Sequence, residues 1–290
     1  MSRRNPRIGF AFSTKDRTDL SRRCLRTVDF DDGFDLLWCD GSNTAEGQAL
    51  PKSVVLKRNR FREIHLNVRG GPDAAICFGF RRLLALGYDC CGLIENDIEF
   101  DPGWLQAMRE ATAAARADGL KVGAVTARTF ASRVLLATPQ YALIWNVGAG
   151  MVLFSRPAVH LLLNYYHTRS ASEICSYYAD KFGKDLRGVH ELFAGQIDRG
   201  LGCDWGFSIE LYRHGLVSIG TVPSHARIMD YDAFSGMRSE YQPAWTEQTA
   251  GDWQRELRSF KKQNAVDLRR HAARLLAPWL EQIRSWRIPR

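Results

Sequence analysis

Residues 91–105, CGLIENDIEFDPGWL, constrain the fold of this chain more than any other stretch. They begin with a short apolar run at residues 92–94, which is typical of a buried strand in a parallel sheet. The run ends in the polar triplet Glu95, Asn96 and Asp97. Two carboxylates at the point where a buried strand reaches solvent are costly unless a positive group binds them. Because open α/β sheets bind ligands at such strand ends, the stretch predicts an α/β fold with a site here.

The oxygen atoms of this triplet indicate the kind of ligand. Mg²⁺ and Mn²⁺ prefer carboxylate oxygens and often share them with the phosphates of a substrate. Glu95 and Asp97 therefore predict a site for a divalent metal and a phosphorylated ligand. Considered alone, the stretch also fits an acidic loop that binds nothing.

Strands and helices alternate along most of the chain, which predicts a mostly parallel sheet flanked by helices. The predicted strands comprise residues 7–13, 35–39, 54–56, 64–66, 92–94 and 122–126. The predicted helices comprise a segment that starts at Asp19 or Ser21 and ends at Val28, and residues 73–86, 104–117 and 205–214. With 290 residues and 45% hydrophobic composition, the chain can form one large α/β domain or two halves that share a sheet.

Residues 134–155 contain no charged side chain, and their length would suffice to cross a bilayer. Pro139, Gln140 and Asn146 interrupt this run, and Gly148 and Gly150 break it near its end. We therefore expect two buried strands and a glycine loop rather than a spanning helix. Glycines let a backbone approach a ligand closely, but a structural bulge is an equal alternative for this loop.

Cysteine usage bears on the compartment. None of the seven cysteines forms a CxxC pair, and most lie among apolar residues, so we expect reduced core thiols in a cytoplasmic protein. The N-terminal segment MSRRNPRIGFAF is basic, but its apolar run is too short for a signal peptide.

The formal net charge of +8 is concentrated in the C-terminal tail. Residues 252–290 carry ten Lys or Arg and four Asp or Glu, a net of 10 − 4 = +6, which leaves +2 for the rest of the chain. A body with so little net charge is not expected to bind nucleic acid.

Apolar residues in the tail recur at helical spacings of three and four, with Lys and Arg on much of the other face. They are Trp253, Leu257, Phe260, Leu268, Ala272, Leu275, Leu276, Trp279, Ile283 and Trp286. Pro278 is expected to break or kink the second of two helices. The apolar stripe is expected to pack on the body. The alternative is peripheral contact with anionic headgroups at the inner face of a membrane.

Two common nucleotide-binding signatures are absent from the sequence. No GxGxxG follows the first strand, which disfavours a dinucleotide-binding dehydrogenase. No GxxxxGK[ST] occurs, which disfavours a P-loop ATPase.

Four ordered segments instead resemble the GT-A glycosyltransferases of the family-two type. They are STKDRTDLSRRCLRTV at residues 13–28, DLLWCDGSN at 35–43, LIENDIEFDPGWL at 93–105 and CDWGFSIELYRHGLVSIGTVP at 203–223. Their order and spacing match the family over residues 7–230, and four ordered segments are far more specific than one DxD motif. Two positions depart from the family pattern: Asp16 stands where asparagine is usual, and Glu95 where aspartate is usual.

The resemblance implies a GT-A fold, a Rossmann-like and mostly parallel sheet flanked by helices. It implies a metal-dependent, inverting enzyme that moves a sugar from a nucleoside-diphosphate sugar to an acceptor hydroxyl. The implied cofactor is Mn²⁺ or Mg²⁺, and the implied acceptor is a glycan, a lipid-linked molecule or a small molecule. Residues 1–243 would form the catalytic domain, with a nucleotide-binding half at 1–102 and an acceptor half at 103–243. Residues 244–290 would form a basic amphipathic helical extension.

The donor-binding residues that the resemblance implies lie at strand ends. They are Ser13, Thr14, Arg17, Asp40, Arg69, Glu95 and Asn96. Asp40 can accept hydrogen bonds from a base N–H or a ribose hydroxyl, although it could instead form only the turn before Gly41. Arg17 and Arg69 could contact the base or a phosphate, or they could form surface salt bridges.

The implied metal ligand is Asp97, with Glu95 and Asp230 beside it. A late His or Asp often completes such a site, so His225 stays open as an alternative to Asp230. The metal would stabilise negative charge on the departing diphosphate.

Asp204 is the implied catalytic base, and an aspartate there can also cap the helix that follows it. Glu210, later in that helix, is expected to be solvated or salt-bridged. The residues implied near the donor sugar and the acceptor are Asn146, Gly148, Gly150 and Trp205.

Two other functions remain open at the level of sequence. A nucleotidyltransferase that makes sugar nucleotides would need a glycine-rich, basic signature after the first strand, and STKDR does not supply one. A non-catalytic module that binds a nucleotide or a sugar is the other alternative, and the glutamate at position 95 keeps it open.

Overall fold

The computed structural model describes residues 6–148, 150–164, 171–186, 203–229, 241–243 and 247–285. Its strands are β1 (Ile8–Thr14), β2 (Phe34–Asp40), β3 (Arg60–His65), β4 (Cys90–Glu95), β5 (Ile98–Phe100), β6 (Val122–Thr126), β7 (Val134–Ala137), β8 (Tyr141–Ile144), β9 (Met151–Ser155), β10 (Val217–Thr221) and β11 (Ala226–Ile228). Its helices are α1 (Thr18–Val28), α2 (Ala45–Ser53), α3 (Gly71–Ala85), α4 (Trp104–Ala117), α5 (Arg156–Asn164), α6 (Ala171–Phe182), α7 (Cys203–Arg213) and α8 (Glu247–Ser285).

Nine strands form one sheet in the order β3-β2-β1-β4-β9-β6-β10-β8-β7. Strands β3, β2, β1 and β4 are parallel, and β9 runs antiparallel to both β4 and β6. Strand β10 is parallel to β6. The carboxyl ends of β1, β2, β4, β6 and β10 therefore share one edge of the sheet. The predicted fold class, a mostly parallel α/β sheet flanked by helices with a C-terminal helical extension, is confirmed.

Helices cover both faces of the sheet because the buried strands alternate their side chains between two cores. Phe10 and Phe12 of β1 face a core that includes side chains of α1, α4 and α8. Ala11 faces the opposite core, which includes side chains of α3, α5 and α7. A Cβ atom at Gly79 of α3 would lie 2.4 Å from the Ala11 side chain, so this glycine lets α3 lie close against β1.

The prediction that Trp104 opens a helix is confirmed, and the structure shows that it is also a core residue. Trp104 is fully buried, and its ring lies 4.6 Å from that of Phe100 and 5.6 Å from that of Phe10, measured between centroids. The carboxylate of Asp31 accepts hydrogen bonds from the backbone N–H groups of Gly103 and Leu105 at the start of α4. This carboxylate satisfies the helix start and fixes where β4 and β5 lead into α4.

The predicted strand at residues 54–56 is wrong, because these residues form a loop after α2, a helix that was not predicted. The carboxylate of Asp29 accepts the backbone N–H groups of Lys57, Arg58 and Asn59, so these groups are not available to a sheet. Val55 is consequently 88% exposed. The next strand, β3, ends at His65 and starts at Arg60, four residues before the predicted start.

Residues 134–155 form three strands rather than the predicted two. Strands β7 and β8 make an antiparallel hairpin around Pro139 and Gln140, and β9 follows the glycine loop. No helix in the described ranges is both long and apolar enough to cross a bilayer.

The tail forms one helix, α8, rather than the expected two, and this helix continues through Pro278 without a break. A proline removes one backbone hydrogen bond, but the freed carbonyl of an exposed helix can bond to water. The first half of α8 packs on the body: Leu257 is buried, and Lys181 Nζ lies 2.9 Å from Asp267 Oδ2.

Candidate active site

The carboxyl ends of three neighbouring strands bring the predicted donor-binding residues together. In the register of the sheet, Thr14 of β1 lies beside Asp40 of β2, and Ser13 of β1 lies beside Glu95 of β4. These side chains come from sequence positions up to 82 residues apart, and the parallel pairing alone brings them to one edge. The geometry therefore brings these side chains to the strand ends at which the sequence predicts a ligand site.

Asp40 is completely buried, and its two carboxylate oxygens have different surroundings. Its Oδ1 accepts hydrogen bonds from Thr14 Oγ1 at 2.8 Å and from Ser42 Oγ at 2.6 Å. Trp38 Nε1 donates to Thr14 Oγ1 at 2.8 Å, which orients the threonine hydroxyl toward Asp40. Its Oδ2 is buried and has no hydrogen-bond partner in the described structure. A buried carboxylate oxygen without a donor is costly, so Oδ2 is suited to a donor group on a ligand.

Asp16 joins the loop after β1 to the loop after β2. Its Oδ1 accepts hydrogen bonds from Thr44 N, Thr44 Oγ1 and Asn43 N at 2.8, 2.8 and 2.9 Å. The hydrogen bond from the Thr44 backbone is the main reason that the pKa of Asp16 lies below its usual value. This position is where the resembling family has asparagine. A negatively charged acceptor suits position 16, because this position lies at the N-terminus of α2, where the helix dipole is positive.

Arg69 is exposed on the loop after β3, and among the described residues it is hydrogen-bonded to amide side chains and forms no salt bridge. Its guanidinium donates to Asn43 Oδ1 at 2.5 Å and to Asn67 Oδ1 at 3.1 Å. Asn43 follows the β2 strand end, so Arg69 lies beside the Asp40 side of the crevice.

Asp97 follows β4, and it too has one buried oxygen that accepts no hydrogen bond in the described structure. That oxygen is Oδ1, whereas Oδ2 lies 3.2 Å from Arg17 Nη1. An oxygen that accepts no hydrogen bond fits the carboxylate ligand of a hard divalent cation. Arg17 therefore forms a salt bridge, which was the alternative to a ligand contact, and its partner is Asp97, the predicted metal ligand.

The second strand-end carboxylate, Glu95, is half-buried and is fixed through its backbone. Its N–H donates to Gly150 O at 2.8 Å, which places the glycine loop beside the end of β4. Met229 N donates to Asp97 O at 2.8 Å, so the chain just before position 230 also reaches this corner. Asp230 itself lies outside the described residues. Across the described ranges, no group of three or more His, Cys, Asp or Glu is arranged to hold a metal ion.

Two predicted residues make structural contacts near the strand ends. The side-chain amide of Asn96 donates to Ser21 Oγ on α1 at 2.9 Å, and Asn96 is buried. His225 is half-buried between β10 and β11, where its backbone N–H donates to Ala127 O. The amide group of Asn96 therefore holds the turn after β4 against α1.

The glycine loop between β8 and β9 is ordered by Asn146, which is fully buried. Its Oδ1 accepts the N–H of Gly148 at 2.9 Å, and its Nδ2 lies 3.3 Å from the hydroxyl of Tyr178. Val147 N donates to Ser208 Oγ of α7 at 3.1 Å. The loop thus connects α7 to Glu95 at the end of β4.

Two buried arginines, Arg128 and Arg133, were missed by the sequence analysis. A Cβ atom at Gly148, whose φ is +70°, would lie 1.9 Å from Arg133 Nη1, and one at Gly150 would lie 2.8 Å from Arg128 Nη1. Both guanidinium groups lie over the ring of Phe130, at 4.6 and 4.9 Å. The two guanidinium groups therefore lie directly against the backbone of the glycine loop. The signal in the sequence is that Arg128 lies two residues after the end of a buried strand, β6.

Asp204 lies in the first turn of α7, because this helix starts at Cys203. The alternative in which Asp204 precedes the helix as its cap is therefore wrong, although a carboxylate in the first turn still suits the helix dipole.

Trp205 packs against Trp145 and Tyr178, with ring centroids 5.7 and 5.6 Å apart, and so forms part of an aromatic cluster. Glu210 is buried and lies 3.8 Å from Arg213, so it is salt-bridged and not solvated.

Comparisons by sequence return no match: no protein-family profile matches the chain, and no curated protein does. Comparison of folds returns similar solved structures. One is the mannosyltransferase PcManGT from Pyrobaculum calidifontis in complex with GDP-Man and Mn²⁺, with 15% identity, a TM-score of 0.46, and coverage of 95% of this chain and 75% of that chain. Another is S. aureus TarS 1-349, with 11% identity, a TM-score of 0.47, and coverage of 79% of this chain and 62% of that chain. Similarity at this level says nothing about activity or substrate.

Proposed function

We propose that this protein is a glycosyltransferase that moves a sugar from a nucleoside-diphosphate sugar to an acceptor hydroxyl. One observation carries the proposal. Asp40 and Asp97 lie at the same edge of the sheet, and each has a buried carboxylate oxygen without a hydrogen-bond partner in the described structure. Two such oxygens suit a ligand that donates a hydrogen bond to Asp40 and binds together with a cation that Asp97 holds.

The nucleotide is proposed to bind at the ends of β1 and β2. Asp40 Oδ2 would accept a hydrogen bond from a base N–H or a ribose hydroxyl, and Ser13 and Thr14 would flank the same group. Arg69 would contact the base or a phosphate from the loop after β3. Because Asp40 Oδ1 already accepts hydrogen bonds from Thr14 and Ser42, the carboxylate is held rigidly for this contact.

A divalent cation, Mn²⁺ or Mg²⁺, is proposed to be held by Asp97 together with Glu95 and Asp230. When bound, the cation would supply a Lewis acid that stabilises negative charge on the departing diphosphate. Asp97 Oδ1 supports this role, since it is buried and accepts no hydrogen bond in the described structure. Arg17, now paired with Asp97, would lie close enough to share a phosphate contact.

Asp204 is proposed to remove the proton from the acceptor hydroxyl as it attacks. The contacts from α7 through Val147 and Gly150 to Glu95 support this assignment, because they tie the helix that carries Asp204 to the metal end of the crevice. In a single inverting displacement the hydroxyl attacks opposite the leaving diphosphate, so the base and the metal ligands must flank the sugar.

We further propose that residues 1–243 form the catalytic domain, with the donor bound mainly by residues 1–102 and the acceptor by residues 103–243. Residues 244–290 form an extension to it. The acceptor is a glycan, a lipid-linked molecule or a small molecule, since glycosyl transfer requires only a reactive hydroxyl.

The proposal is tested by metal-dependent nucleotide binding in the variant Asp97→Asn. Titration of UDP, GDP and dTDP with and without Mn²⁺, read by calorimetry, should show a metal-enhanced affinity that the variant loses. The matched control is Asp101→Asn, because Asp101 is close in sequence but pairs with Arg227 at an exposed site. If Asp97→Asn keeps wild-type Mn²⁺-dependent binding, the metal assignment is wrong. If the wild type binds no nucleoside diphosphate at all, the proposed function is wrong.

A further inference from the structure

The second half of α8 is an unusual surface, because its apolar side chains are exposed. Leu275, Leu276, Trp279 and Leu280 are 60%, 53%, 59% and 45% exposed. Their spacing of three and four places them along one side of the helix. Every residue from 272 to 282 is exposed, whereas Leu257 in the first half is buried.

The middle of the helix still touches the body. Leu268 lies against Gly215, and the His271 ring is 5.6 Å from that of His214. Residues 272–285 then continue as helix for about 21 Å, at a rise of about 1.5 Å per residue. Gly215 precedes the amino end of β10, so this surface is separated from the crevice by the length of that strand.

The charge around the apolar surface indicates what kind of partner it binds. Arg269 is exposed on the same side of the helix, and Arg270 and Arg274 are exposed on the opposite side. Glu281 is the only acidic residue between positions 268 and 282, so the net charge of this part of the helix is 3 − 1 = +2. A helix with exposed Leu and Trp on one side and arginines around it matches an anionic lipid surface in both polarity and charge. We propose that residues 269–282 dock on membranes that contain anionic phospholipids, with Leu276 and Trp279 at the level of the headgroups.

A second copy of the chain suits this surface less well. Two copies would bring their arginines together at a net charge of +2 each, without a compensating acidic patch on the segment. Four partly exposed side chains also add only a few hundred Å² per chain, below the about 800 Å² per partner of a stable interface. The docking inference does not depend on the proposed transfer reaction, since no crevice residue takes part in it.

The test is flotation of the full chain with vesicles. Vesicles of phosphatidylcholine with about 30% phosphatidylglycerol should carry the protein upward at low salt, and pure phosphatidylcholine vesicles should carry much less. The double variant Leu276→Ser, Trp279→Ser should lose at least tenfold in partitioning. Arg269→Gln and Arg274→Gln should each lose about fivefold, the usual contribution of one basic residue near an anionic surface.

Two controls make the result specific. Val55→Ser removes another exposed apolar side chain, 88% exposed on the body, and should leave flotation unchanged. Asp97→Asn alters the crevice and should also float as the wild type does. Flotation that survives the double variant, or equal binding to neutral and anionic vesicles, overturns the inference. A dimer in light scattering that Trp279→Ser abolishes, without vesicle binding, assigns the surface to a second copy and overturns it as well.

Discussion

The substitution Asp40→Asn should have different effects on stability and on ligand binding, because the two carboxylate oxygens of Asp40 make different contacts. In Asp40→Asn, the amide oxygen can still accept from Thr14 and Ser42, so the amide nitrogen must occupy the position of Oδ2. The variant removes a buried charge and should keep or raise the unfolding free energy. It should weaken nucleoside-diphosphate binding by about 10- to 100-fold, because the ligand loses a hydrogen bond to a charged acceptor.

Calorimetric titration and chemical denaturation measure the two effects, and Asp35→Asn is the matched control on the same strand. Burial of Asp35 would raise its pKa, but hydrogen bonds from Arg60 and Tyr88 lower it below its usual value. This control should destabilise the protein and leave nucleotide binding unchanged. If Asp40→Asn instead loses stability and keeps its affinity, Asp40 serves only to form the turn before Gly41.

At the scale of single residues, sequence located Asp40 and Asp97 because a carboxylate at the end of an apolar strand is a local pattern. It could not show that the amide of Asn96 bonds to Ser21 or that Trp205 packs with Trp145, because those contacts depend on partners distant in sequence. Arg128 and Arg133 escaped for the same reason, since a buried arginine has no periodic signature.

At the scale of elements, helix α8 has two halves with different surroundings, and a pair of leucines tests this. Leu257→Ala should cost about 2–5 kcal/mol of unfolding free energy, because it opens a cavity under a buried side chain. Leu276→Ala should change the unfolding free energy by less than about 0.5 kcal/mol, since Leu276 is already half exposed. Equal losses from the two variants, measured by urea denaturation, would contradict this division of the helix.

Element prediction succeeded where burial and periodicity agreed, as in α4 and β6, whose predicted and observed bounds coincide. It failed at residues 54–56, where an apolar triplet resembles a strand but the distant carboxylate of Asp29 binds the backbone that follows. It also failed at Pro278, because exposure to water removes much of the penalty that a proline imposes in a packed helix.

At the scale of the whole molecule, the sheet order brings residues from four separate segments to one edge, and this is what a transfer reaction requires. The strand–helix alternation predicted the sheet class, but the insertion of antiparallel β9 between β4 and β6 could not be read from it. That insertion places the glycine loop next to Glu95 and so connects the carboxyl end of β4 to α7.

The most direct measurement of the central claim is nucleotide release from a panel of nucleoside-diphosphate sugars with Mn²⁺, compared between the wild type and Asp204→Asn. The wild type should release nucleoside diphosphate from one donor, and a suitable acceptor should increase this release. The transferred sugar in the product should have the anomeric configuration opposite to that of the donor. Asp204→Asn should bind that donor normally and lose turnover by about a hundredfold or more, the scale of a general base. Wild-type turnover in the variant, or a product that retains the donor's configuration, would contradict the account.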